Sequence, residues 1–418
     1  MEISCRIYKP RRARESPLFR LVEQHLEELL RVWPTRFARH HGTLRPVVER
    51  VLRGFMRCGL VEHGFARLWC PTCRTSVLCP FSCRGRSFCP SCEKKRQLLW
   101  AEWLQREALA PVPHRHLVIT MPRLLRVIFR KRRELLLDLS QCAAEAVAEY
   151  VKRRLGPDCR PGIVVSVATA GDLVQWHPHG HLLLTDGGFS EAVMKLFRER
   201  LLARLIERHA ISEELARKLL AWRHPGFSAH VGDLIPFEDK KAIQDVASYL
   251  VRAPFSLQKL VYLDGHKAVL YRSRLNPSLG RNFEAMDPLE WLARLADHIP
   301  DPGRHRTHFY AHYANRVRGE RPDEEEPRQT DEAKPPARRR CSPSWARLIA
   351  KVFQADPLVC RRCGGPLKPV AYITDALAIR QILEHLDFSP PEKPPPETRD
   401  VVRVPLDEEG REVEVQPA

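Results

Sequence analysis

A cysteine-rich segment at residues 70–92, which reads CPTCRTSVLCPFSCRGRSFCPSC, limits the N-terminal part of this chain to a few possible structures. Cys70 and Cys73 form one CxxC pair, and Cys89 and Cys92 form another. Two such pairs around a short loop supply four thiolates, the usual ligands of a structural zinc ion. The ion would hold together a segment that has little apolar core of its own. The sequence therefore predicts a structural Zn²⁺ bound by these four cysteines.

Other cysteines leave alternatives open. Cys79 and Cys83 lie between the two pairs, and each could replace a ligand or remain a free thiol. A distant CxxCGG sequence holds Cys360 and Cys363, which is only half of a zinc site. Cys341 and His385 are the nearest candidates to complete it. A second metal site and a plain turn are equally compatible with this pattern.

The charge balance favours a polyanionic partner. The chain has 69 Lys and Arg against 51 Asp and Glu, a formal net charge of +18, which is typical of nucleic-acid-binding proteins, although some soluble proteins are merely basic. Basic residues surround the cysteines and are suited to phosphate contacts: Arg74, Arg84, Arg86, Lys94, Lys95 and Arg96. The chain shows neither a run of apolar residues that could span a bilayer nor a secretory leader, which predicts a cytoplasmic protein without membrane contact.

Hydrophobic periodicity predicts an α+β fold, with covering helices on an antiparallel sheet. Strands are expected at 114–122, 162–171 and 172–185, the last two as a hairpin, with helices at 123–155 and 238–252. The predicted units are a helical and zinc-binding N-terminal domain at 1–110, a central domain at 111–318 that holds the strands and the helix at 238–252, a disordered linker at 319–340, a small C-terminal module at 341–388 and a disordered tail at 389–418.

Three histidines alternate along the third of these strands, in the sequence WHPHGHLLL. Because alternate side chains share one face of a strand, His177, His179 and His181 are expected to project together and to offer imidazoles to a divalent ion. Alternatively, the three histidines are ordinary residues of a half-buried strand face and bind no ion. A second pair, His114 and His116, is interpreted as structural.

The helix that begins near residue 240 carries a tyrosine, Tyr249. Asp245 lies one turn earlier on the same face. A tyrosine hydroxyl near a bound metal could attack a DNA phosphodiester and form a covalent link. A lone tyrosine on an amphipathic helix is more often a core or boundary residue, so the prediction depends on the histidines, the zinc module and the charge together.

Taken in order, several stretches resemble the insertion-sequence-91 family of transposases. These are FSCRGRSFCPSC (81–92), HRHLVITMP (114–122), WHPHGHLLL (176–184), SYLVRAPFSLQKL (248–260), HIPDPGRHRTHFYAHYANRVRG (298–319) and DPLVCRRCGGPLKPVAYI (356–373). The resemblance covers most of the chain. It implies an HUH-endonuclease-like catalytic domain, preceded by the zinc domain, that nicks single-stranded DNA at the ends of a mobile element.

By motif position, the resemblance implies that His179 and His181 are the HUH metal ligands, for Mg²⁺ or Mn²⁺, and that Tyr249 is the nucleophile. It further implies rolling-circle transposition through a 5′-phosphotyrosine intermediate and a free 3′-hydroxyl. His177 and Asp245 are additional candidates for metal binding. The chain departs from the family pattern at two positions. Gly180 replaces the usual bulky apolar residue, and a glycine there would loosen the strand. Asp245 occupies the position of the first of two tyrosines found in many relatives.

Two other classes of function compete with the nicking enzyme. One is a non-catalytic, zinc-dependent DNA-binding or replication-accessory protein. The other is a transposase that retains its fold but has lost activity.

Overall fold

The structure of the chain is a computed structural model. The structure describes residues 13–190, 192–222, 226–276, 280–319, 359–360 and 362–385. The predicted linker, apart from Gly319, and the predicted tail lie outside these residues, as does Cys341. No helix of the described residues is both long and apolar enough to cross a membrane.

The fold mixes helices with antiparallel sheets, which confirms the predicted α+β class. The α-helices of the described residues are α1 (Pro17–Val32), α2 (Ala38–His41), α3 (Pro46–Met56), α4 (Pro90–Trp103), α5 (Arg123–Lys131), α6 (Leu135–Leu155), α7 (Ala192–Glu207), α8 (Glu213–Ala221), α9 (Lys240–Leu250), α10 (Pro288–Asp297), α11 (Asn315–Gly319) and α12 (Ala376–His385). The strands are β1 (Phe65–Cys70), β2 (Thr75–Pro80), β3 (His114–Thr120), β4 (Gly162–Ala170), β5 (Trp176–Thr185), β6 (Ser228–Ile235), β7 (Leu260–Leu263), β8 (Ala268–Asn276), β9 (Arg281–Met286), β10 (Thr307–Ala311) and β11 (Lys368–Ile373).

Five strands form a central antiparallel sheet in the order β10-β4-β5-β3-β6. The predicted hairpin is present as β4 and β5, with Ser166 opposite His181. Both faces of β5 are buried, because Leu182 and Leu184 point to one core and Leu183 to another. The two-sided burial explains why LLL follows the histidines where a half-exposed strand would alternate.

Each face of the central sheet is covered by different helices. Helices α5, α6 and α7 cover the face of Leu182 and Leu184, in a core built largely from aliphatic side chains. Helix α9 covers the face of Leu183 with Ile243 and Ala247, and the end of α4 covers it beside them. The histidines and the tyrosine helix therefore belong to the same face.

A second core crosses the predicted boundary between residues 110 and 111. It joins apolar residues of α1 and α3 to the sheet β7-β8-β9 and to α10, with Trp291 fully buried at its centre. Leu52 and Phe55 of α3 belong to this core, as does Val269 of β8. The N-terminal helices are thus packed on part of the predicted catalytic domain.

A third sheet, in the order β11-β1-β2, forms the cysteine-rich head. Strand β11 pairs antiparallel with β1, with Phe65 opposite Ile373 and Trp69 opposite Lys368. Strand β11, which belongs to the segment predicted as a small C-terminal module, therefore completes the sheet of the N-terminal head.

Gly180 fits tightly in its strand. A Cβ added there would lie 2.9 Å from Cγ1 of Ile119 on β3 and 3.4 Å from Cδ1 of Leu182. Ile119 is 1% exposed and occupies the space that a side chain at position 180 would take. The glycine therefore leaves no gap at this position, because Ile119 of the neighbouring strand fills the space.

Candidate active site and cysteine clusters

The three histidines of β5 form a continuous row of rings. The ring centroids of His177 and His179 are 5.1 Å apart, and those of His179 and His181 are 4.7 Å apart. His179 and His181 are buried, with 8% and 2% exposure. Pairing with β3 begins at His179, opposite Thr120, whereas pairing with β4 reaches back to Trp176, so Pro178 lies where β5 has no partner on the β3 side.

Hydrogen bonding leaves suitable nitrogen atoms available for a metal. Nδ1 of His179 donates to the backbone carbonyl of His177 at 2.7 Å, which leaves its Nε2 as the acceptor. Nε2 of His181 is buried and has no hydrogen-bond partner among the described residues. Because a buried polar atom is costly without a partner, this nitrogen fits a bound cation.

His116 is part of the site, which the sequence analysis missed. Its Nε2 lies 3.2 Å from Nδ1 of His181, and the two rings stack with centroids 5.3 Å apart. If Nε2 of His181 binds a metal, its Nδ1–H donates to His116, an arrangement that orients metal-binding histidines in many proteins. His114 and His116, which were both predicted to be structural, thus have different surroundings. His114 is buried away from the site and bonds to the hydroxyl of Tyr313 at 2.6 Å.

Tyr249 projects from α9 onto these histidines. Its ring centroid lies 5.0 Å from that of His181 and 5.9 Å from that of His116, edge to face in both cases. The guanidinium of Arg252 lies over the same ring, 4.1 Å from the centroid. Tyr249 is 40% exposed, so it is accessible from solvent.

The C-terminal end of α9 is fixed from two directions. The Ser166 hydroxyl of β4 donates to the carbonyl of Leu250 at 2.7 Å, and the Gln97 amide of α4 donates to the carbonyl of Ser248 at 2.6 Å. The residues on either side of Tyr249 are therefore tied to the sheet and to the helix that follows the cysteines.

The site keeps its imidazoles neutral. Burial lowers the pKa of His181 to about 2, with further lowering by His179, His116 and Arg252. Burial also lowers the pKa of His179, and it lowers those of His177 and His116 to about 4. At neutral pH, each ring therefore retains the lone pair that metal binding requires.

Asp245 is on the exposed part of α9. Its side chain is 71% exposed, and its carboxylate lies 4.0 Å from Nζ of Lys241. Within the described residues, groups of three or more ligand atoms converge only among the cysteines, so Asp245 and the histidines form no such group.

The cysteines form two clusters of four. The first contains Cys58, Cys83, Cys89 and Cys92, whose sulfur atoms all lie within 4.8 Å of one another. Three of the Sγ–Sγ distances are 3.7 Å. A tetrahedral site with zinc–sulfur bonds of about 2.3 Å has edges of about 3.8 Å, so this cluster fits a structural Zn²⁺.

The second cluster contains Cys70, Cys73, Cys360 and Cys363. The four predicted ligands are thus divided between two sites, since β1 and β2 separate Cys70 and Cys73 from Cys89 and Cys92. Cys83 joins the first cluster, whereas Cys79 joins neither. Cys58 follows α3 outside any CxxC pattern, so no spacing signal marked it as a ligand.

A cavity of about 190 Å³ opens where α9 ends, and Ser166 and Val251 are in its wall. The rest of the wall is rich in cationic and aromatic side chains, including Arg86, Arg96, Trp100, Arg306 and Phe309. Burial lowers the pKa of Arg306 to about 10, so it remains a cation at neutral pH.

Comparison with known proteins defines the class first. Residues 28–121 match the family model described as "Transposase zinc-binding domain", and residues 162–321 match the model described as "Putative transposase". The chain is therefore a zinc-binding transposase. Together with the first relative below, these matches show that it belongs to the insertion-sequence-91 family.

Two curated proteins are similar to this chain. The transposase for insertion sequence element IS801 of Pseudomonas savastanoi pv. phaseolicola is 26% identical over 363 residues, which cover 80% of this chain and 86% of the relative. "Putative transposase y4qJ" of Sinorhizobium fredii is 27% identical over 168 residues, or 39% of this chain and 41% of the relative. No solved structure matches.

Proposed function

We propose that this transposase nicks single-stranded DNA at the ends of its mobile element, with Tyr249 as the nucleophile and with His179 and His181 as metal ligands. The observation that carries the proposal is the contact between the Tyr249 ring and the ring of His181, whose buried Nε2 has no partner among the described residues. An accessible nucleophile beside two neutral imidazoles is the arrangement that metal-assisted covalent catalysis needs.

In the proposed step, Oη of Tyr249 attacks the scissile phosphorus while the bond from phosphorus to O3′ breaks. The phenol loses its proton and the departing 3′ oxygen gains one, so the products are a 5′-phosphotyrosyl strand and a free 3′-hydroxyl. A divalent ion at the histidines would stabilise the charge on the phosphate oxygens. Rolling-circle transposition would then use the 3′-hydroxyl as a primer.

Mg²⁺ and Mn²⁺ prefer oxygen ligands, so two imidazoles do not complete their coordination. The DNA phosphate would supply some of the missing oxygens. His177 and Asp245 are proposed as further ligands: the first has a buried Nε2 without a partner among the described residues, and the second is a carboxylate one turn from Tyr249.

The cavity at the end of α9 supports a single-stranded substrate. Arg86 in its wall suits a contact with the DNA backbone, and the rings of Trp100 and Phe309 suit unstacked bases, which together are typical of single-strand binding sites. We therefore propose that the strand runs from Tyr249 into this cavity.

The decisive measurement is covalent attachment of the protein to an oligonucleotide that carries the element's end, in the presence of Mn²⁺ or Mg²⁺. We expect an adduct with the wild type, none with Tyr249→Phe, and a loss of at least tenfold with His179→Ala or His181→Ala. Asp245→Ala is expected to increase the metal concentration needed for half-maximal adduct formation. Unchanged dependence would remove Asp245 from the metal site.

A matched control is Tyr310→Phe. Tyr310 is on β10 of the same sheet, packed against the opposite core, and its hydroxyl bonds to Ser140 at 2.9 Å. This variant should keep the adduct. If the wild type forms no adduct but still binds the oligonucleotide, the chain is a non-catalytic DNA-binding protein or an inactive transposase.

A further inference from the structure

The second cysteine cluster joins residues from opposite ends of the chain. Cys73 and Cys360 are 287 positions apart, yet their sulfur atoms lie 3.5 Å from each other, and those of Cys70 and Cys363 lie 3.4 Å apart. All four sulfurs lie within 4.8 Å of one another. These separations are too long for S–S bonds of about 2.05 Å and are close to the edges of a zinc tetrathiolate.

The backbone around both CxxC pairs is shaped for metal binding. Arg74, directly after Cys73, has φ 55°, and Gly364, directly after Cys363, has φ 71°. Both pairs are therefore followed by a left-handed residue that turns the chain back. The turn at Cys360 is closed by its amide, which donates to the carbonyl of Gly365 at 2.7 Å, and by the amide of Gly364, which donates to the carbonyl of Cys360 at 2.8 Å.

The two turns also contact each other directly. A Cβ added at Gly365 would lie 2.6 Å from Oγ1 of Thr72 and 3.3 Å from Sγ of Cys363. Only a glycine admits this approach, because the clash with Thr72 would push the turns apart. The CGG sequence after Cys360 is thus explained by the neighbouring CPTC turn.

The apolar core directly around this cluster is small. Leu68 and Leu367 are its only buried residues besides Cys70 and Cys360 within the described part of the chain. A segment of this size usually needs a metal or another cross-link to fold stably.

We infer that Cys70, Cys73, Cys360 and Cys363 bind a second structural zinc ion, which clasps the C-terminal segment to the N-terminal head. The clasp holds β11 against β1. It also brings Ile379 and Leu383 of α12 against Phe65. It is separate from the first cluster, whose four cysteines all lie between residues 58 and 92, and it does not depend on the proposed chemistry at Tyr249.

The test is the zinc content of the full chain, purified without chelator and measured by mass spectrometry of the metal. We expect about two zinc ions per chain in the wild type and about one in Cys363→Ser. Cys363→His should retain two, because histidine replaces cysteine as a zinc ligand in many Cys₃His sites. Cys159→Ser, which changes a cysteine outside both clusters, should also retain two.

Amide hydrogen exchange supplies a second measurement on the same proteins. In Cys363→Ser, the amides of β11 should lose protection, while those of β4 and β5 keep it. A single zinc ion in the wild type, or a Cys363→Ser variant that still holds two, would overturn the inference. A variant that loses both ions would also overturn it, because the two clusters would then not be separate sites.

Discussion

At the scale of single residues, Gly180 and Ile119 form a tight packing contact beside the candidate site. The glycine lies between the two histidines that we propose as ligands, and its neighbour on β3 leaves no room for a side chain. The histidine pair is thus held by a strand whose inner face is already filled. The packing between the two histidines therefore depends on a residue of another strand.

Gly180→Val is expected to destabilise the fold by about 1–3 kcal/mol, because it overpacks a filled core. The change would appear as a lower midpoint of urea unfolding. Combining it with Ile119→Ala should recover part of the loss, since the alanine removes the two atoms nearest to the added group. If the double variant is as unstable as the sum of the single changes, the two residues do not compete for the same space.

Sequence reasoning located Tyr249 and the β5 histidines because alternation and helical spacing place chemistry-bearing residues on predictable faces. It missed His116, because one His-x-His pair on a strand says nothing about which strand lies next to it. Ile119 was missed for the same reason. Both depend on the register of β3 against β5, with Val118 opposite His181, which is a property of the pairing rather than of either segment.

At the scale of secondary-structure elements, α4 links the cysteine head to the candidate site. Buried Glu93, in its first turn, pairs with Arg96 at 2.6 Å and with Arg306 at 3.4 Å. Gln97 then ties the helix to the end of α9. One helix therefore contacts the loop of the first cysteine cluster, the wall of the cavity and the helix that carries Tyr249.

The loop before α4 holds an arginine that we propose as a contact to DNA. Arg86 lines the cavity, and its Nη1 donates only a long bond, 3.4 Å, to the carbonyl of Arg304. Arg86→Ala should weaken binding of single-stranded DNA and reduce the slope of log affinity against log salt by about 0.7, the value for one lost phosphate contact. Fluorescence anisotropy over a range of salt concentrations would measure both.

The matched control is Arg217→Ala, which removes an exposed arginine from α8, a helix of the face that α9 does not cover. Its effect should be small. Equal effects of the two variants would mean that binding follows overall charge and that the cavity is not on the path of the strand.

Elements with a strong period were predictable, including the β4–β5 hairpin, the helices at 123–155 and α9. The strands β1 and β2 were not predicted, because their sequences, FARLWC and TSVLCP, are short and were interpreted through their cysteines. Likewise, β11 was placed in a separate module, because no local signal states which distant strand it pairs with. Long-range pairing also decided the composition of the cysteine clusters.

At the scale of the whole molecule, several histidines are buried in the neutral form. His114 bonds to Tyr313, and His298, 1% exposed, bonds to Thr169 and to the carbonyl of Val174. Burial lowers the pKa of each to about 4, from an ordinary value of 6.5. Protonation therefore favours the unfolded chain, which binds protons at a higher pH than the folded chain does.

Each of these neutral histidines therefore contributes about 3 kcal/mol to the free energy of unfolding. This contribution is fully present above about pH 6.5 and is lost as the pH falls towards about 4. The free energy of unfolding, measured with urea between pH 7.5 and 4.5, should decrease over this window. His298→Gln should flatten the decrease. The zinc content must be measured in parallel, and an equal slope in the variant would show that His298 does not contribute.

The pairing of β1 with β11 has a consequence for the order in which this protein matures on the ribosome. Cys70 and Cys73 are made early, but their partners follow 287 positions or more later, a delay of roughly 15–60 s at a synthesis rate of about 5–20 residues per second. During that time β1 has no neighbour on one side, and two thiols wait without their counterparts. A chain that stops before Cys360 would have neither the strand that pairs with β1 nor half of the second cysteine cluster.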